Sequence, residues 1–330
     1  MGKRVRLKPR RGKRRSAGAW WLAGLVVLVL VGGAWAVSRS RQSSVPEASA
    51  VAVRGIEHVH GLAVGPANPA ILWIGTHGGL IRVTNGQEWM RIGRQGFDMM
   101  GFNVHPTEPN VLVTSGHPGP RDPRRNPLGV QVSRDGGQTW QTMALPGEAD
   151  FHTMTMSKAD PRVLYAWNVS GRMGLYRSRD GGRRWEYLGD RGLERVFSLA
   201  AHPRDAALVF AGTARGLYVS RDGAESWQSF TSALLSLPIT AVEIHPKDPR
   251  IAYVYAAKPD LGLLRTTDGG NRWTPVGFVL GQRDAVGNLA LDPSDPQVIY
   301  FATFGGDLYR SPDGGMRREQ WVSGGQVVVP

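Results

Sequence analysis

The sequence predicts an all-β protein whose main part is a six-bladed β-propeller. A short motif ending in tryptophan occurs six times, at intervals of 51, 45, 42, 46 and 48 residues. These tryptophans are Trp89, Trp140, Trp185, Trp227, Trp273 and Trp321. Each unit also holds four strand-like segments separated by turns. A period in the forties with four short strands is typical of propeller blades.

The four strands of a unit can be assigned in order. The first is an alternating segment that runs into a Pro/Asp turn, as in GLAVGPANP at 61–69. An apolar, β-branched or aromatic strand follows, as in VIYFAT at 298–303. The third strand, such as GLYVS at 216–220, leads into an Asp-containing turn, and the tryptophan opens the fourth. This pattern predicts blades built as four-stranded meanders.

The turn before the tryptophan has a near-constant sequence. It reads SRDGGQTW at 133–140, SRDGGRRW at 178–185, SRDGAESW at 220–227 and TTDGGNRW at 266–273, with degenerate forms at 83–89 and 311–321. A short acidic side chain can accept hydrogen bonds from the N–H groups of its own turn, and glycine supplies positive φ. We therefore predict a structural role, without catalysis, for Asp135, Asp180, Asp222, Asp268 and Asp313.

These turns resemble the BNR or Asp-box repeats of sialidase-like propellers over residues 55–325, and similar repeats occur in sortilin-type receptors and in the photosystem II assembly factor. The chain also resembles bacterial glycosyl-hydrolase-like propellers in four elements, at 58–62, 98–102, 115–118 and 147–152. That likeness implies a shared site but no particular reaction. The sialidase Arg-Ile-Pro element is matched only by Met90–Gly93, which lacks the proline, and no three arginines occupy equivalent inner positions as the sialidase arginine triad would. The resemblance therefore implies the fold and not sialidase activity.

The positive charge is concentrated at the N-terminus. The 330 residues carry a formal net charge of +13 and include no cysteine. Residues 1–41 hold 11 Lys and Arg and no acidic residue, which leaves 29 basic and 27 acidic residues in the rest. A nearly neutral body argues against nucleic-acid binding. The missing cysteines exclude disulfides, thiolate metal sites and cysteine nucleophiles.

An uncharged run of 23 residues follows the basic head. It is long enough to cross a bilayer as a helix, and tryptophans lie at both ends, where indoles favour the headgroup region. We predict a basic cytoplasmic head at 1–15, a transmembrane anchor at 16–38, an exposed linker at 39–52 and the propeller at 53–330. The alternative is a signal peptide cleaved near Ala34-Trp35-Ala36, which would give a secreted protein.

The histidines divide between the two faces of the predicted propeller. Turns between strands 1 and 2 and between strands 3 and 4 share one face, here called the Asp-turn face. Turns between strands 2 and 3 and the links between blades share the opposite face. His105, His202 and His245 begin the turn after strand 1 and so belong to the Asp-turn face. The other five histidines belong to the opposite face in blades 1 to 3.

Acidic residues accompany these five histidines. The candidate catalytic carboxylates are Asp98, Glu148 and Asp150. Residues two apart on a strand point to the same side, which predicts the pairs His58/His60 and Asp150/His152. The predicted ligand-binding set is His58, His60, His77, Asp98, His117, Asp150, His152 and Arg195.

Three interpretations of this set are open. Imidazole and carboxylate groups together bind Zn²⁺, Mn²⁺ or Fe²⁺, so a divalent metal is the cofactor predicted for His60, His77, His117 and His152. Alternatively, paired carboxylates at a cleft hydrolyse glycosides. In the third interpretation the side chains only cap strand ends. The long loop at 116–129, with three arginines, predicts either a lid for an anionic or sugar ligand or a solvated loop.

The leading functional prediction is a membrane-anchored, extracytoplasmic propeller that binds a ligand, metal or partner on the face opposite the Asp turns. One alternative is a glycoside hydrolase. Another is a scaffold like the assembly factor, which would use the same face for protein contacts. A glycan or a protein is the expected partner, besides the membrane itself.

The topology can be tested directly. Nine Lys and Arg residues precede the apolar run, so the head should stay in the cytoplasm and the propeller should lie outside. Protease added to intact spheroplasts should therefore digest the propeller while a cytoplasmic marker stays intact. A propeller that is digested only after lysis would contradict this orientation.

Overall fold

The computed structural model describes residues 50–94, 96–281 and 283–328. The predicted head, the predicted anchor and most of the predicted linker lie outside these ranges. Across the described ranges, no helix is both long enough and apolar enough to span a membrane.

The predicted six-bladed β-propeller is confirmed. A short strand, β1 (Ala50–Ala52), precedes the first blade. Blade 1 contains β2 (Val59–Val64), β3 (Ile71–Thr76), β4 (Gly79–Thr84) and β5 (Glu88–Ile92). Blade 2 contains β6 (Asp98–Val104), β7 (Leu112–His117), β8 (Val130–Ser133) and β9 (Gln141–Ala144). Blade 3 contains β10 (Phe151–Met156), β11 (Leu164–Asn168), β12 (Gly174–Ser178) and β13 (Glu186–Gly189).

The second half repeats the same meander. Blade 4 contains β14 (Val196–Ala201), β15 (Val209–Thr213), β16 (Gly216–Ser220) and β17 (Gln228–Ser229). A 3₁₀ turn at Ser232–Leu234 leads to blade 5, with β18 (Ile239–Ile244), β19 (Ala252–Ala256), β20 (Gly262–Thr266) and β21 (Thr274–Pro275). Blade 6 contains β22 (Val286–Leu291), β23 (Ile299–Thr303), β24 (Leu308–Ser311), β25 (Glu319–Ser323) and β26 (Gln326–Val327). Every pair of neighbouring strands in a blade is antiparallel, as short turns require.

The core lies between neighbouring blades. One apolar cluster, for example, joins Val113 and Val130 of blade 2 to Met154 and Leu164 of blade 3. Each fully buried side chain of this size contributes about 1.5–3 kcal/mol relative to exposure. Because both faces of a sheet are covered in this way, the strands read as nearly continuous apolar segments.

The ring closes through both termini. The inner strands contact one another in order, and β22 of blade 6 contacts β2 of blade 1. Strand β1 adds a fifth strand beside β5, and β26 adds a fifth strand beside β25. The Ile56 N–H donates to the Gly325 carbonyl at 2.8 Å, and the Val327 N–H donates to the Arg54 carbonyl at 2.9 Å. Both end segments therefore extend terminal sheets, and the first sheet starts at residue 50, slightly before the predicted boundary at 53.

The Asp turns of blades 2 to 6 share one hydrogen-bond pattern. In blade 2, the Ser133 hydroxyl donates to Asp135 Oδ1 at 2.8 Å and accepts the Gly137 N–H at 2.8 Å. Asp135 Oδ1 also accepts the Thr139 N–H at 3.0 Å. The equivalent aspartates, each bonded to the preceding hydroxyl and to the N–H four residues on, are Asp180, Asp222, Asp268 and Asp313.

Blade 1 has a different type of turn at the corresponding position. Its degenerate sequence places Asn85 and Gly86 at the two central positions, with φ of 53° and 72°. Positive φ at both positions is the type I′ hairpin, which Asn-Gly favours. The turn therefore needs no aspartate.

Asp222 allows a stability test of these turns. Hydrogen bonds from Ser226, Ser220 and Glu225 lower the pKa of Asp222 to about 2, from a usual value of 3.8. A carboxylate with a depressed pKa stabilises the fold above its unfolded pKa and loses that effect as the pH falls towards 2. Asp222→Ala should cost about 1 kcal/mol at neutral pH, and the difference should shrink between pH 3.8 and 2.

Urea denaturation at several pH values measures this difference. Asp222→Asn is the matched control, because its amide oxygen still accepts the turn N–H groups. It should lose less stability than Asp222→Ala. Equal loss in both variants, or no pH dependence, would contradict the structural role of the carboxylate.

Candidate functional site

Irregular pairing occurs in the inner strand of every blade. His60 in β2 and His152 in β10 are residues that the ladder skips. The skipped residues of blades 4, 5 and 6 are Phe197, Thr240 and Gly287, and in blade 2 the shift lies between Met100 and Asn103. A bulge leaves its extra residue unpaired and redirects the side chain. Both histidines line the central cavity of the ring.

His60, His77 and Asp98 form a cluster between blades 1 and 2, here called the first triad. His60 Nε2 lies 3.5 Å from Asp98 Oδ1, and His77 Nδ1 lies 3.1 Å from Asp98 Oδ2. The two imidazoles meet edge to face, with ring centroids 4.5 Å apart. One donor atom from each residue lies within 4.8 Å of the other two.

His117, Asp150 and His152 form the second triad, between blades 2 and 3. His117 Nε2 and His152 Nε2 lie 3.2 and 3.1 Å from the same oxygen, Asp150 Oδ2. The carboxylate is the most buried member, with 6% of its side chain exposed. In this triad too, one donor atom from each residue lies within 4.8 Å of the other two.

The repeat explains half of each triad. His77 and His117 occupy the equivalent position after or at the end of strand 2 in blades 1 and 2. Each contacts the aspartate that opens or precedes the inner strand of the next blade, Asp98 or Asp150. The third members are not equivalent. His60 belongs to blade 1, the earlier of the two blades that form the first triad, whereas His152 belongs to blade 3, the later of the two that form the second. The two triads are thus related by the repeat but not identical.

Three polar residues that support the second triad were not predicted from the sequence. The Asn168 amide oxygen accepts the Asp150 N–H at 2.7 Å, and the Ser115 hydroxyl accepts the Phe151 N–H at 3.1 Å. The Asn126 amide oxygen lies 2.8 Å from His117 Nδ1. Asn168 stands where blades 1, 4 and 6 have threonine, at Thr76, Thr213 and Thr303. This difference between Asn168 and the threonines of the other blades is the sequence feature that could have identified it.

Burial dominates the electrostatics of the first triad. Desolvation, with smaller contributions from nearby histidines, lowers the pKa of His60 to about 3. Desolvation also lowers the pKa of His58 and raises the pKa of Asp98. His60 is therefore neutral at physiological pH, which is the form that binds a metal.

Several buried polar atoms at the site have no hydrogen-bond partner among the described residues. They are His60 Nε2, Asp98 Oδ1 and Asp150 Oδ1. A buried polar atom without a partner costs about 1–3 kcal/mol. In folded proteins such atoms either mark stored strain or are satisfied by a bound water or ion.

The remaining members of the predicted set lie outside the triads. The His58 ring centroid is 4.8 Å from that of His60, and the ring stacks on exposed Phe304 at 6.2 Å. Glu148 and Arg195 are exposed, and within the described residues their side chains make no hydrogen bond or ion pair. The structure therefore brings six of the nine predicted residues into two clusters, with His58 beside the first.

A central cavity of about 640 Å³ runs along the ring. Its lining includes His58, His60 and His152 at one end and prolines of the strand 1–2 turns at the other. Near the Asp-turn end, Lys158 Nζ lies 2.7 Å from Glu243 Oε1, which joins blade 3 to blade 5. The triads therefore lie where the cavity meets the opposite face.

The loop at 116–129 is tied to its own blade. Arg124 donates to both carboxylate oxygens of Asp122 and to Gln131 Oε1 at 2.9 Å, and its guanidinium lies 5.2 Å from the Phe97 ring centroid. Arg121 and Arg125 are exposed. Arg124 is therefore occupied within the loop, and the other two arginines are left facing solvent.

Each triad has the chemistry of a metal site. Ligand atoms around a tetrahedral ion with bonds of about 2.1 Å lie about 3.4 Å apart. In the second triad both His–Asp distances, 3.2 and 3.1 Å, end on Asp150 Oδ2 and fit that spacing. In the first triad the two distances end on different oxygens of Asp98, and one ligand atom per residue lies within 4.8 Å of the others. Two imidazoles and one carboxylate suit zinc, iron or manganese. The residues of each triad could hold such an ion if their ligand atoms, now within 4.8 Å of one another, moved closer together.

Comparisons with known proteins support the propeller fold. The sortilin family, described as sortilin, neurotensin receptor 3, matches residues 173–277. A curated xyloglucanase of Hypocrea jecorina (strain QM6a) is 28% identical over 135 residues, which cover 35% of this chain and 16% of that protein. The match thus covers about a third of this chain and a small part of this relative.

Two solved structures have a similar fold. The GH74 xyloglucanase of Xanthomonas campestris has a TM-score of 0.57 and 22% identity, and the GH74 enzyme of Niastella koreensis has a TM-score of 0.57 and 17% identity. Each alignment covers 84% of this chain and 47% of the other. The chain therefore spans about half the length of these glycoside-hydrolase propellers and shares their fold.

The buried imidazole of His60 can be tested by a substitution taken from the repeat itself. Met100 of blade 2 aligns with His60 in the sequence repeat, although Met100 pairs with Ser115 whereas the ladder skips His60. A thioether needs no hydrogen-bond partner. His60→Met should therefore raise the free energy of unfolding of the metal-free protein by about 1 kcal/mol. Urea denaturation in the presence of EDTA measures the change.

A matched control is His202→Met, on the Asp-turn face. The His202 ring accepts the Arg204 N–H at 3.3 Å, so this substitution should bring no gain. A clear loss of stability in His60→Met would show that His60 is needed for the fold.

Proposed function

We propose that the chain is a membrane-anchored, extracytoplasmic propeller that binds a divalent transition-metal ion on the face opposite the Asp turns. The observation that carries the proposal is the second triad. Its Asp150 carboxylate is 94% buried, contacts two imidazoles through one oxygen, and leaves the other oxygen without a partner among the described residues. A buried carboxylate is costly unless it is paired with positive charge, and a metal ion would supply that charge.

The ligand types narrow the choice of metal. The whole sequence lacks cysteine, so thiolate coordination is excluded. Imidazole with carboxylate suits Zn²⁺, Fe²⁺ and Mn²⁺, whereas Ca²⁺ and Mg²⁺ prefer oxygen ligands alone. Of these three, Zn²⁺ has the highest general affinity for such a site.

Metal binding should stabilise the protein measurably. A ligand at 100 times its Kd adds about 2.7 kcal/mol to the free energy of unfolding. Zn²⁺ should therefore raise the Tm of the purified full-length chain, and metal analysis after desalting should find the ion retained. The double variant His60→Ala/His152→Ala, which removes one imidazole from each triad, should lose most of both effects.

His202→Ala serves as the control, because His202 lies on the Asp-turn face and should behave as wild type. A wild-type chain that retains no metal and shows no Tm shift would contradict the proposal. Retention in the double variant equal to wild type would contradict the assignment of these residues.

A glycoside hydrolase is the second candidate. It is favoured by the similarity to a xyloglucanase and by the propeller fold shared with GH74 enzymes. In this chain Asp98 would be the general acid, because desolvation raises the pKa of its carboxyl group. Asp150 would be the second carboxylate.

Hydrolysis of xyloglucan, with and without EDTA, separates the two candidates. Activity that survives EDTA and is lost in Asp98→Asn would favour the two-carboxylate mechanism. No release of reducing sugar by the wild type, together with metal retention, would favour the metal-binding proposal. A scaffold that uses this face for protein contacts stays a prediction without a supporting contact.

A further inference from the structure

The two triads share no residue. The first uses His60, His77 and Asp98, and the second uses His117, Asp150 and His152. Each set holds two imidazoles and one carboxylate, and each is complete without the other. A single ion would use one set and leave the buried carboxylate of the other without positive charge. Two complete sets therefore offer separate places for two ions.

The triads are also close neighbours. Asp98 of the first triad and His117 of the second are directly opposite each other in the pairing of β6 with β7. Paired residues in an antiparallel ladder have Cα atoms about 4.5–5.5 Å apart. In addition, the Ser115 hydroxyl of β7 binds the Phe151 N–H at 3.1 Å, which joins the strand ends of blades 2 and 3. Blade 2 thus holds both triads on one rigid sheet.

If each triad held a divalent ion, the charges of the ions and their carboxylate ligands would not cancel. Each triad supplies one carboxylate, so a divalent ion bound there keeps a net charge of about +1. Three protein ligands leave the fourth position of a tetrahedral ion open to water or a substrate. Two neighbouring open positions with a combined charge of about +2 favour an anionic oxygen ligand. Exposed Arg121 and Arg125, on the loop that Asn126 joins to His117, add positive charge on the same face.

We infer that the two triads hold two divalent metal ions side by side, and that the open positions of this centre bind an oxyanion such as phosphate. This inference rests on the proposed metal-binding function. It adds the number of ions, the division of the ligands between them and the chemical class of the exchangeable ligand.

Zinc stoichiometry tests the number of ions. After equilibrium dialysis, the full-length chain should hold two equivalents of Zn²⁺. His60→Ala/His77→Ala and His117→Ala/His152→Ala should each hold one, and the quadruple variant none. His202→Ala is the control, because His202 lies on the Asp-turn face and bonds to the Arg204 N–H, away from both triads, and this variant should keep both equivalents. Near-UV circular dichroism checks that each variant is folded.

The outcomes separate the inference from the proposal. One equivalent in the wild type, lost in both double variants, would overturn the two-ion inference and leave metal binding intact. No zinc in the wild type would overturn the proposed function itself. A Co²⁺ titration of the wild type, followed by visible absorption, counts the ions without any substitution and must also saturate at two equivalents.

Inorganic phosphate tests the ligand class. Phosphate should change the absorption of the Co²⁺-loaded wild type and bind it in calorimetry. It should bind the metal-free chain at least tenfold more weakly, because the positive charge would be missing. The one-ion double variants should also bind it more weakly than the two-ion protein. Equal binding with and without metal, or none at all, would overturn the oxyanion part of the inference.

Discussion

The burial of both faces of every sheet is the constraint on which the structure depends. A four-stranded meander with two apolar faces cannot exist alone in water, so each blade must pack between two others. Six blades satisfy this only as a closed ring, and the contact of Trp89 with Trp321, whose ring centroids are 6.1 Å apart, seals blade 1 against blade 6. The ring in turn fixes the six inner strands around one axis, and this brings residues from distant parts of the chain to the same cavity end.

Much of the fold could be predicted because its strongest signals are local. Asp180, for instance, bonds to a hydroxyl two residues before it and to an N–H four residues after it, so the turn is encoded within a few residues. The number of repeats then predicted the number of blades. The assignment of faces followed from strand order alone, and it placed His77 and His117 at the same edge as Asp98 and Asp150.

The contact of His152 with Asp150 follows from their spacing of two residues on a strand, but the division of the histidines into two triads could not be predicted in the same way. It depends on which neighbour each bulged side chain approaches, and a bulge is a feature of the strand pairing that the sequence pattern does not reveal. His60 approaches the aspartate of the next blade, whereas His152 approaches the aspartate two residues before it in its own chain segment. The contribution of Asn168 was equally hidden, because it acts through the backbone of Asp150 rather than through a donor side chain aimed at the site.

The same rigidity that closes the ring explains how the site can keep unfavourable groups. A neutral, buried His60 and the buried carboxylate of Asp150 would each lower their free energy by moving towards water, but the paired strands hold their backbones in place. A fold with such a rigid scaffold does not by itself determine the chemistry of the sites that it carries. The fold shared with GH74 enzymes therefore leaves the chemistry of this face open, and the chemistry here depends on which charge compensates Asp98 and Asp150.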